Sequence, residues 1–295
     1  MTSTRFDRRT EDIGNLVEFG HLNVRVPDQQ RAILFYVSGL GLTRDPYLRT
    51  GLDNAWINVG TSQFHLPTGP AQVLRGVVHL VMPDLSALLA RLERIRPLLG
   101  DTRFDFQFGG DRVEVVCPWG NRIRVHAPDP ARFGAMRLGM PCIEVNVAIG
   151  SAEPIARFYL LVLGSAASVG ADGAGRFAQV PIGLGEGLRF REVDAALPAY
   201  DGHHVQVTVA DFSGVHLRLL ERGLITEESD RSQYRFQDVL DPENGRLLAT
   251  IEHEVRSMRH PMYGRPLVNR DPVVDGGPYD AAYEAARWRM PPLPR

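Results

Sequence analysis

The stretch GHLNVRVPDQQRAILFYVSGLGL, residues 20–42, decides how the rest of this chain is read. Its first part alternates: Leu22, Val24 and Val26 share one face of a strand, and His21, Asn23 and Arg25 share the other. Asp28 is placed to cap a helix in which Ile33, Tyr36, Val37 and Leu40 fall at i, i+3, i+4 and i+7, a single apolar stripe. The strand therefore buries its apolar face against its own helix. It turns a polar face, led by a histidine, the other way.

The stretch returns as IEVNVAIGSAEPIARFYLLVLGS, residues 143–165, at an offset of 123 residues from Phe35 to Phe158. At that offset Asn146 falls on Asn23, Gly164 on Gly41 and Glu144 on His21. Val145, Val147 and Ile149 fall on Leu22, Val24 and Val26, so the apolar faces agree. An internal repeat of this length fixes the architecture before any motif is weighed.

Two weaker copies complete the pattern. GVVHLVM leads to Asp84 and the helical run LSALLARLERI, then to the strand-like FDFQF, RVEVVC and NRIRVHA. HHVQVTVADFSGVHLRLLERG repeats its Asp, Ser and Leu-Glu-Arg spacing at Asp211, Ser213 and residues 220–222, and its turn DPENG echoes CPWG. The chain reads as four βαβββ modules paired one–two and three–four. This gives an N-terminal extension (1–16), a first domain (17–128), a linker (129–139), a second domain (140–255) and a Pro/Gly/Arg-rich tail (256–295). Residues 1–16 are expected to be frayed, and residues 164–175 to form a glycine-rich turn region. Met262, Tyr263, Leu267 and Val268 are expected to dock the tail on the second domain or on a partner copy in a homodimer, and a short helix is expected at 281–288.

With 295 residues there is room for two cores, and 44% hydrophobic with 23% charged residues is the balance of a globular protein. A net charge of −2 offers no attraction to nucleic acid or to an acidic membrane surface. No apolar run is long enough to span a bilayer, and the N-terminus shows no signal-peptide core. Cys117 and Cys142, without metal-finger spacing, fit a reducing compartment, so a cytoplasmic location is expected. All 33 basic residues are arginine, which excludes a P-loop lysine, a Schiff-base lysine and a Ser-Lys dyad.

Tandem βαβββ modules, each opened by a short strand and an FYxxxLG-type helix as in residues 35–41, resemble the vicinal-oxygen-chelate superfamily. That group includes glyoxalase I, bleomycin-resistance proteins and extradiol dioxygenases. The resemblance implies an α+β fold with two cupped mixed β-sheets, and ligands on the concave faces. It implies ligand positions on the first and last strand of each module. Here those positions hold His21, His65, Val77 and Arg124, then Glu144, Arg189, His204 and a residue in LLATIEHE. This is not the usual His and Glu complement.

Strand parity gives a separate argument for the same faces. His21, Asn23, His65, His79, Arg124 and His126 share the polar phase in the first half, and Glu144, Asn146, His204 and Gln206 share it in the second. Imidazole-rich groups suit iron, zinc, copper or nickel, and a divalent transition metal (Fe, Mn, Zn or Ni) is the expected cofactor. Its expected ligands are His21 with His65, or Glu144 with His204 completed by Glu252 or His253. Glu144 can instead form a salt bridge with Arg189 or Arg191. Trp56, Phe64, Tyr47 and Phe108 are candidates for an aromatic-tolerant pocket, and Cys117 for a buried thiol. The arginines can receive an anionic small-molecule substrate. Three functions stay open: a metal-dependent enzyme of dioxygenase or glyoxalase type, a metal-free binder resembling the bleomycin-resistance proteins, and a structural pseudo-enzyme. No residue is singled out as catalytic.

Overall fold

A computed structural model describes residues 7–48 and 51–270. Module one contains β1 (Leu16–Asn23), α1 (Gln29–Ile33), β2 (Thr43–Arg44), β3 (Asn54–Val59) and β4 (Ser62–Pro67). Module two contains β5 (Gly76–Val81), α2 (Leu85–Ile95), β6 (Asp105–Phe108), β7 (Arg112–Val116) and β8 (Arg122–His126), and α3 (Pro130–Phe133) follows in the linker. Module three contains β9 (Gly139–Ala148), α4 (Ala152–Phe158), β10 (Ser168–Asp172), β11 (Gly175–Ile182) and β12 (Glu186–Val193). Module four contains β13 (His204–Val209), α5 (Phe212–Leu220), β14 (Ile225–Asp230), β15 (Gln233–Leu240) and β16 (Leu247–Ser257).

The capping aspartates do what their spacing predicts. Asp28, Asp84 and Asp211 accept hydrogen bonds from the amides of Arg31, Ala87 and Gly214 at 3.0, 2.9 and 3.0 Å. Module three has Ser151 at this position, and there the Ala152 amide is capped by Glu192 at 2.8 Å. In the two FYxxxLG helices the winding loosens into a π-helical segment, Leu34–Gly39 and Tyr159–Leu163. Phe35, Tyr36, Phe158 and Tyr159 are thereby all buried, in one hydrophobic core shared by the four modules.

Two mixed eight-stranded sheets result, and their composition corrects the expected pairing. The first sheet runs β14-β15-β16-β13-β1-β4-β3-β2, and the second runs β10-β11-β12-β9-β5-β8-β7-β6. Module one therefore pairs with module four, and module two with module three. Neighbours in sequence meet through their helices: α2 packs on the π-helical segment after α1, and α5 on the one after α4. Strand patterning is the same in all four modules, so it does not encode which first strands join. The seams do. An added Cβ at Gly76 would stand 1.8 Å from the Glu144 carbonyl oxygen across β5–β9, and one at Gly20 would stand 1.6 Å from Gln206 Oε1 across β1–β13.

Smaller corrections follow. Ile149 leaves the repeat's apolar face and is exposed. The turn region at 164–175 contains β10, paired with β11. Asn15, within the supposedly frayed extension, donates to the Leu163 carbonyl at 2.7 Å and accepts from the Asp211 amide at 2.6 Å. The tail begins after Ser257, where Met262 rests on Arg256 of module four at 3.5 Å, and then crosses to module one. Arg265 pairs with Asp45 at 2.7 Å, Asn58 donates to the Val268 carbonyl at 2.8 Å, and Asn269 donates to that of Gly60 at 2.8 Å. The helix expected at 281–288 lies outside the described residues.

Gly76→Ala should cost about 2–3 kcal/mol in denaturant unfolding, because the clash is with backbone in the middle of a sheet. Gly100→Ala, whose Cβ would meet nothing closer than 3.9 Å, should lie within about 0.5 kcal/mol of wild type.

Candidate metal centre

The β1–β13 seam brings together two residues that lie far apart in the chain. His21 opens the polar face of β1, His204 opens β13, and Asn23 and His204 face each other across the antiparallel ladder. β4 lies parallel to β1 on the other side and adds His65, in register with Asn23. One ring nitrogen of each of His21, His65 and His204 lies within 4.8 Å of the other two. The His21 ring meets those of His65 and His204 edge-on, at 5.4 and 5.6 Å between centroids.

These rings are packed but unsatisfied. His21 is 1% exposed, and the Nε2 atoms of all three histidines are buried without a hydrogen-bond partner. Trp56 stacks on His65 at 3.8 Å, and Asn23 holds the far side of that ring through Nδ1 at 2.7 Å. Burial drives the His21 imidazole well below its ordinary value, against the pull of Glu254. Burial, reinforced by His204, brings His65 down to about 3. Both rings are therefore neutral at neutral pH, with lone pairs available.

β16 supplies carboxylates beside His204. Glu252 Oε1 is 3.3 Å from its Nδ1, and Glu254 Oε2 is 3.5 Å from its Nε2. Burial opposes the charge on Glu254, but the neighbouring His204 and His21 rings and the Arg256 guanidinium outweigh it, holding the carboxyl well below the usual range. Arg235 reaches both acids, Glu252 at 2.6 Å and Glu254 at 2.9 Å, and Arg256 lies 2.5 Å from Glu254. The tail lies beside His21. Met262, Arg265 and Leu267 join Glu18, Gln63 and Gln206 around a cavity of about 20 Å³, room for one water or one ion.

The sheet pairing redistributes the predicted residues. His21, His65, His204, Glu252, Asn23 and Gln206 gather in this cup. Glu144, Asn146, Arg189, His79, Arg124 and His126 lie together in the other. The expected group of Glu144 with His204 does not form, and His79 and His126 stand apart from His21 and His65, because those residues belong to different sheets. Glu144 instead makes the alternative salt bridge, 3.2 Å to Arg191 and 3.8 Å to Arg189.

His253 points the opposite way from its neighbours. It is fully buried in the core, stacked on Phe236 at 4.4 Å, with Nε2 at 2.6 Å from the Tyr159 hydroxyl. Of the four aromatic candidates only Trp56 reaches the site. Phe64 packs on Tyr36 in the core, and Tyr47 and Phe108 are exposed. Cys117 is buried, as its setting suggests.

Sequence reading missed Glu254, Arg235, Arg256 and the tail residues. The equivalence of Glu254 to His65 shows only in the strand ladders. Asn23 pairs with His65 across β1–β4, and Gln206, two residues past His204 as Asn23 is past His21, pairs with Glu254 across β13–β16. Glu254 thus occupies in module four the place of His65 in module one.

No family model and no curated protein matches the sequence. Solved structures do match. Glyoxalase I from Zea mays superposes with a TM-score of 0.56 at 14% identity, covering 85% of this chain and 95% of that one. A candidate dioxygenase from Bacillus subtilis subsp. subtilis str. 168 superposes with a TM-score of 0.52 at 15% identity, covering 83% of this chain and 86% of that one. The fold is the one these structures share. Its four-module form, as two mixed eight-stranded sheets, is what this chain adopts. No helix among the described residues is long and apolar enough to cross a membrane.

The depressed histidines set a pH dependence. An unfolded imidazole takes up its proton near 6.5, but the folded His65 does so only near 3. The unfolded state therefore binds more protons throughout that window, and stability falls as pH is lowered through it. For the metal-free chain, the unfolding free energy should be flat above about pH 7.5 and decline from about pH 6.5 toward pH 4. His65→Gln should flatten the decline, as read by urea unfolding at a series of pH values.

Proposed function

We propose that the first cup is a mononuclear divalent-metal centre and that the chain uses it to act on a small oxygenated molecule, as glyoxalase-type or dioxygenase-type enzymes do. The observation that carries this reading is the convergence of one ring nitrogen from each of His21, His65 and His204 within 4.8 Å, on rings whose buried Nε2 atoms have no hydrogen-bond partner. Each unmet buried polar atom costs on the order of 1–3 kcal/mol, and one ion answers all three. Nitrogen ligands about 2.0–2.1 Å from a metal stand about 3.3 Å apart in a tetrahedron, so the imidazoles need only a small inward adjustment. The donor set suits Fe, Zn or Ni, and with Glu254 also Mn.

His21, His65 and His204 would hold the ion through their ring nitrogens, with the Glu254 carboxylate beside them. Glu252, 3.3 Å from His204 Nδ1, would fix the tautomer of that ring, and Asn23, whose amide nitrogen faces His65 Nδ1 at 2.7 Å, would do the same there with its amide turned over. A bound ion would polarise the vicinal oxygens of a substrate and stabilise the negative charge that develops on them. The chain's own groups then act around it. Arg256 and Arg265 add positive charge beside His21 while holding Glu254 and Asp45, and Trp56 packs edge-on against the His21 ring. A metabolite does not fit in about 20 Å³, so Met262, Arg265 and Leu267 must swing out with the tail to admit one.

One observation favours the metal-free binder instead. Glu254 is already held by Arg235 and Arg256, an arrangement complete without a cation. Metal analysis after exchange separates the two readings. Wild type should hold about one equivalent of transition metal, and His21→Ala and His204→Ala should lose most of it. Free metal at about 100 times Kd should stabilise wild type by about 2.7 kcal/mol. Should wild type hold no stoichiometric metal and gain no thermal stability from Fe, Mn, Zn or Ni, the metal-free reading replaces the enzyme.

A further inference from the structure

The second sheet carries a cup of its own, and its residues correspond to those of the first position by position. In every module the polar face opens seven residues before the helix-capping position: His21, Val77, Glu144 and His204 precede Asp28, Asp84, Ser151 and Asp211. Two residues further on, Asn23, His79, Asn146 and Gln206 pair across the parallel ladders with His65, Arg124, Arg191 and Glu254. The four positions held by His21, His65, His204 and Glu254 in the first cup are thus held by Val77, Arg124, Glu144 and Arg191 in the second. Both last-strand positions have become guanidinium groups. These carry permanent positive charge and have no lone pair to offer a cation.

The pocket over this face is open, with a volume of about 450 Å³, within the range of small-molecule sites. Six arginines line it: Arg112, Arg122, Arg124, Arg132, Arg189 and Arg191. Four carboxylates lie among them: Glu144 and Asp172 in the lining, Glu114 against Arg112 and Arg124 at 2.8 and 2.6 Å, and Asp111 at 3.2 Å from Arg112. Six against four leaves two positive charges in excess. Arg122 forms no ion pair among the described residues, and Arg132 rests on the Phe133 ring at 4.9 Å.

A histidine pair completes the pocket. His79 and His126 stack with ring planes 4° apart and share one hydrogen bond, Nδ1 to Nε2, at 3.1 Å. With one proton between them, one outer nitrogen is an N–H donor and the other a bare acceptor. Those outer atoms, His79 Nε2 and His126 Nδ1, are buried and unpartnered, on side chains only 9% and 3% exposed. Nothing in the fold uses them.

We propose that this second cup is a separate binding site for a small dianion, either a phosphate monoester or a dicarboxylate. Arg122, Arg124 and Arg132 clasp the anionic oxygens, and the His79–His126 pair orients the ligand. Guanidinium forks recognise planar or tetrahedral oxyanions through paired N–H bonds, and two excess positive charges match two negative ones. The inference is independent of whether the first cup holds metal.

Calorimetric titration of the full chain at pH 8 and fixed ionic strength tests it, with inorganic phosphate and succinate as dianions and acetate as the singly charged reference. At least one dianion should bind about ten-fold or more tighter than acetate, and the better of the two identifies the ligand class. Arg122→Gln and Arg124→Gln should each weaken that binding roughly five-fold or more, and His204→Ala should leave it unchanged. Arg122 is exposed and unpaired, so its variant decides the matter if Arg124→Gln fails to fold. An unchanged Kd in Arg122→Gln, or no dianion binding tighter than acetate, would overturn the proposal.

Discussion

The antiparallel seam between β1 and β13 is the contact on which the rest of the structure depends. It joins the first module of the chain to the last, and Gln206 lays its amide oxygen over Gly20, where a Cβ would stand 1.6 Å from it. Once the seam forms, His21 and His204 face one another, and β4 and β16 flank them with His65 and Glu254. The same seam sets where the tail leaves β16. That exit lets Arg265 reach across to Asp45, whose buried charge would otherwise be costly. Burial works against the ionised Asp45, but Arg265 and the amides of Tyr47 and Leu48 outweigh it and hold its carboxyl below the ordinary value.

Much of this was legible in the sequence because it is local. Alternation places His21, His65 and His204 on the polar faces of their strands, and the seven-residue distance to an N-cap aspartate selects His204 over His203. His203 is indeed elsewhere, fully buried with Nδ1 2.6 Å from Asp201. What could not be read is non-local. Four similar modules can pair in more than one way, and parity within a strand is silent on its partner. Parity alone therefore sets Glu144 beside His204, although they stand in different sheets.

The last strand failed for a different reason. β16 slips its register against β15 between Phe236 and Asp238, and the longer DPENG turn hides its phase. With the phase unknown, Glu252 and His253 were equally good candidates. In the structure the polar phase runs through Glu252, Glu254 and Arg256, while His253 turns into the core beside Tyr159. The tail was harder still: its Pro- and Gly-rich run has no period, so only the fold shows that it lies beside the first cup.

The two cups use one scaffold with opposite electrostatics. In the first, burial keeps imidazoles neutral beside an ionised carboxylate, a field suited to a cation. In the second, arginines take the corresponding places and burial pushes His79 down to about 3 and His126 to about 4, so the positive charge there is all guanidinium. The most direct measurement of the central claim is anomalous diffraction from crystals of the full chain soaked in Zn²⁺ or Ni²⁺. The account predicts a single strong anomalous peak among the Nε2 atoms of His21, His65 and His204, and none in the arginine-lined cup. A peak beside His79 and His126, or no peak at the three-histidine site at full soak, would contradict it.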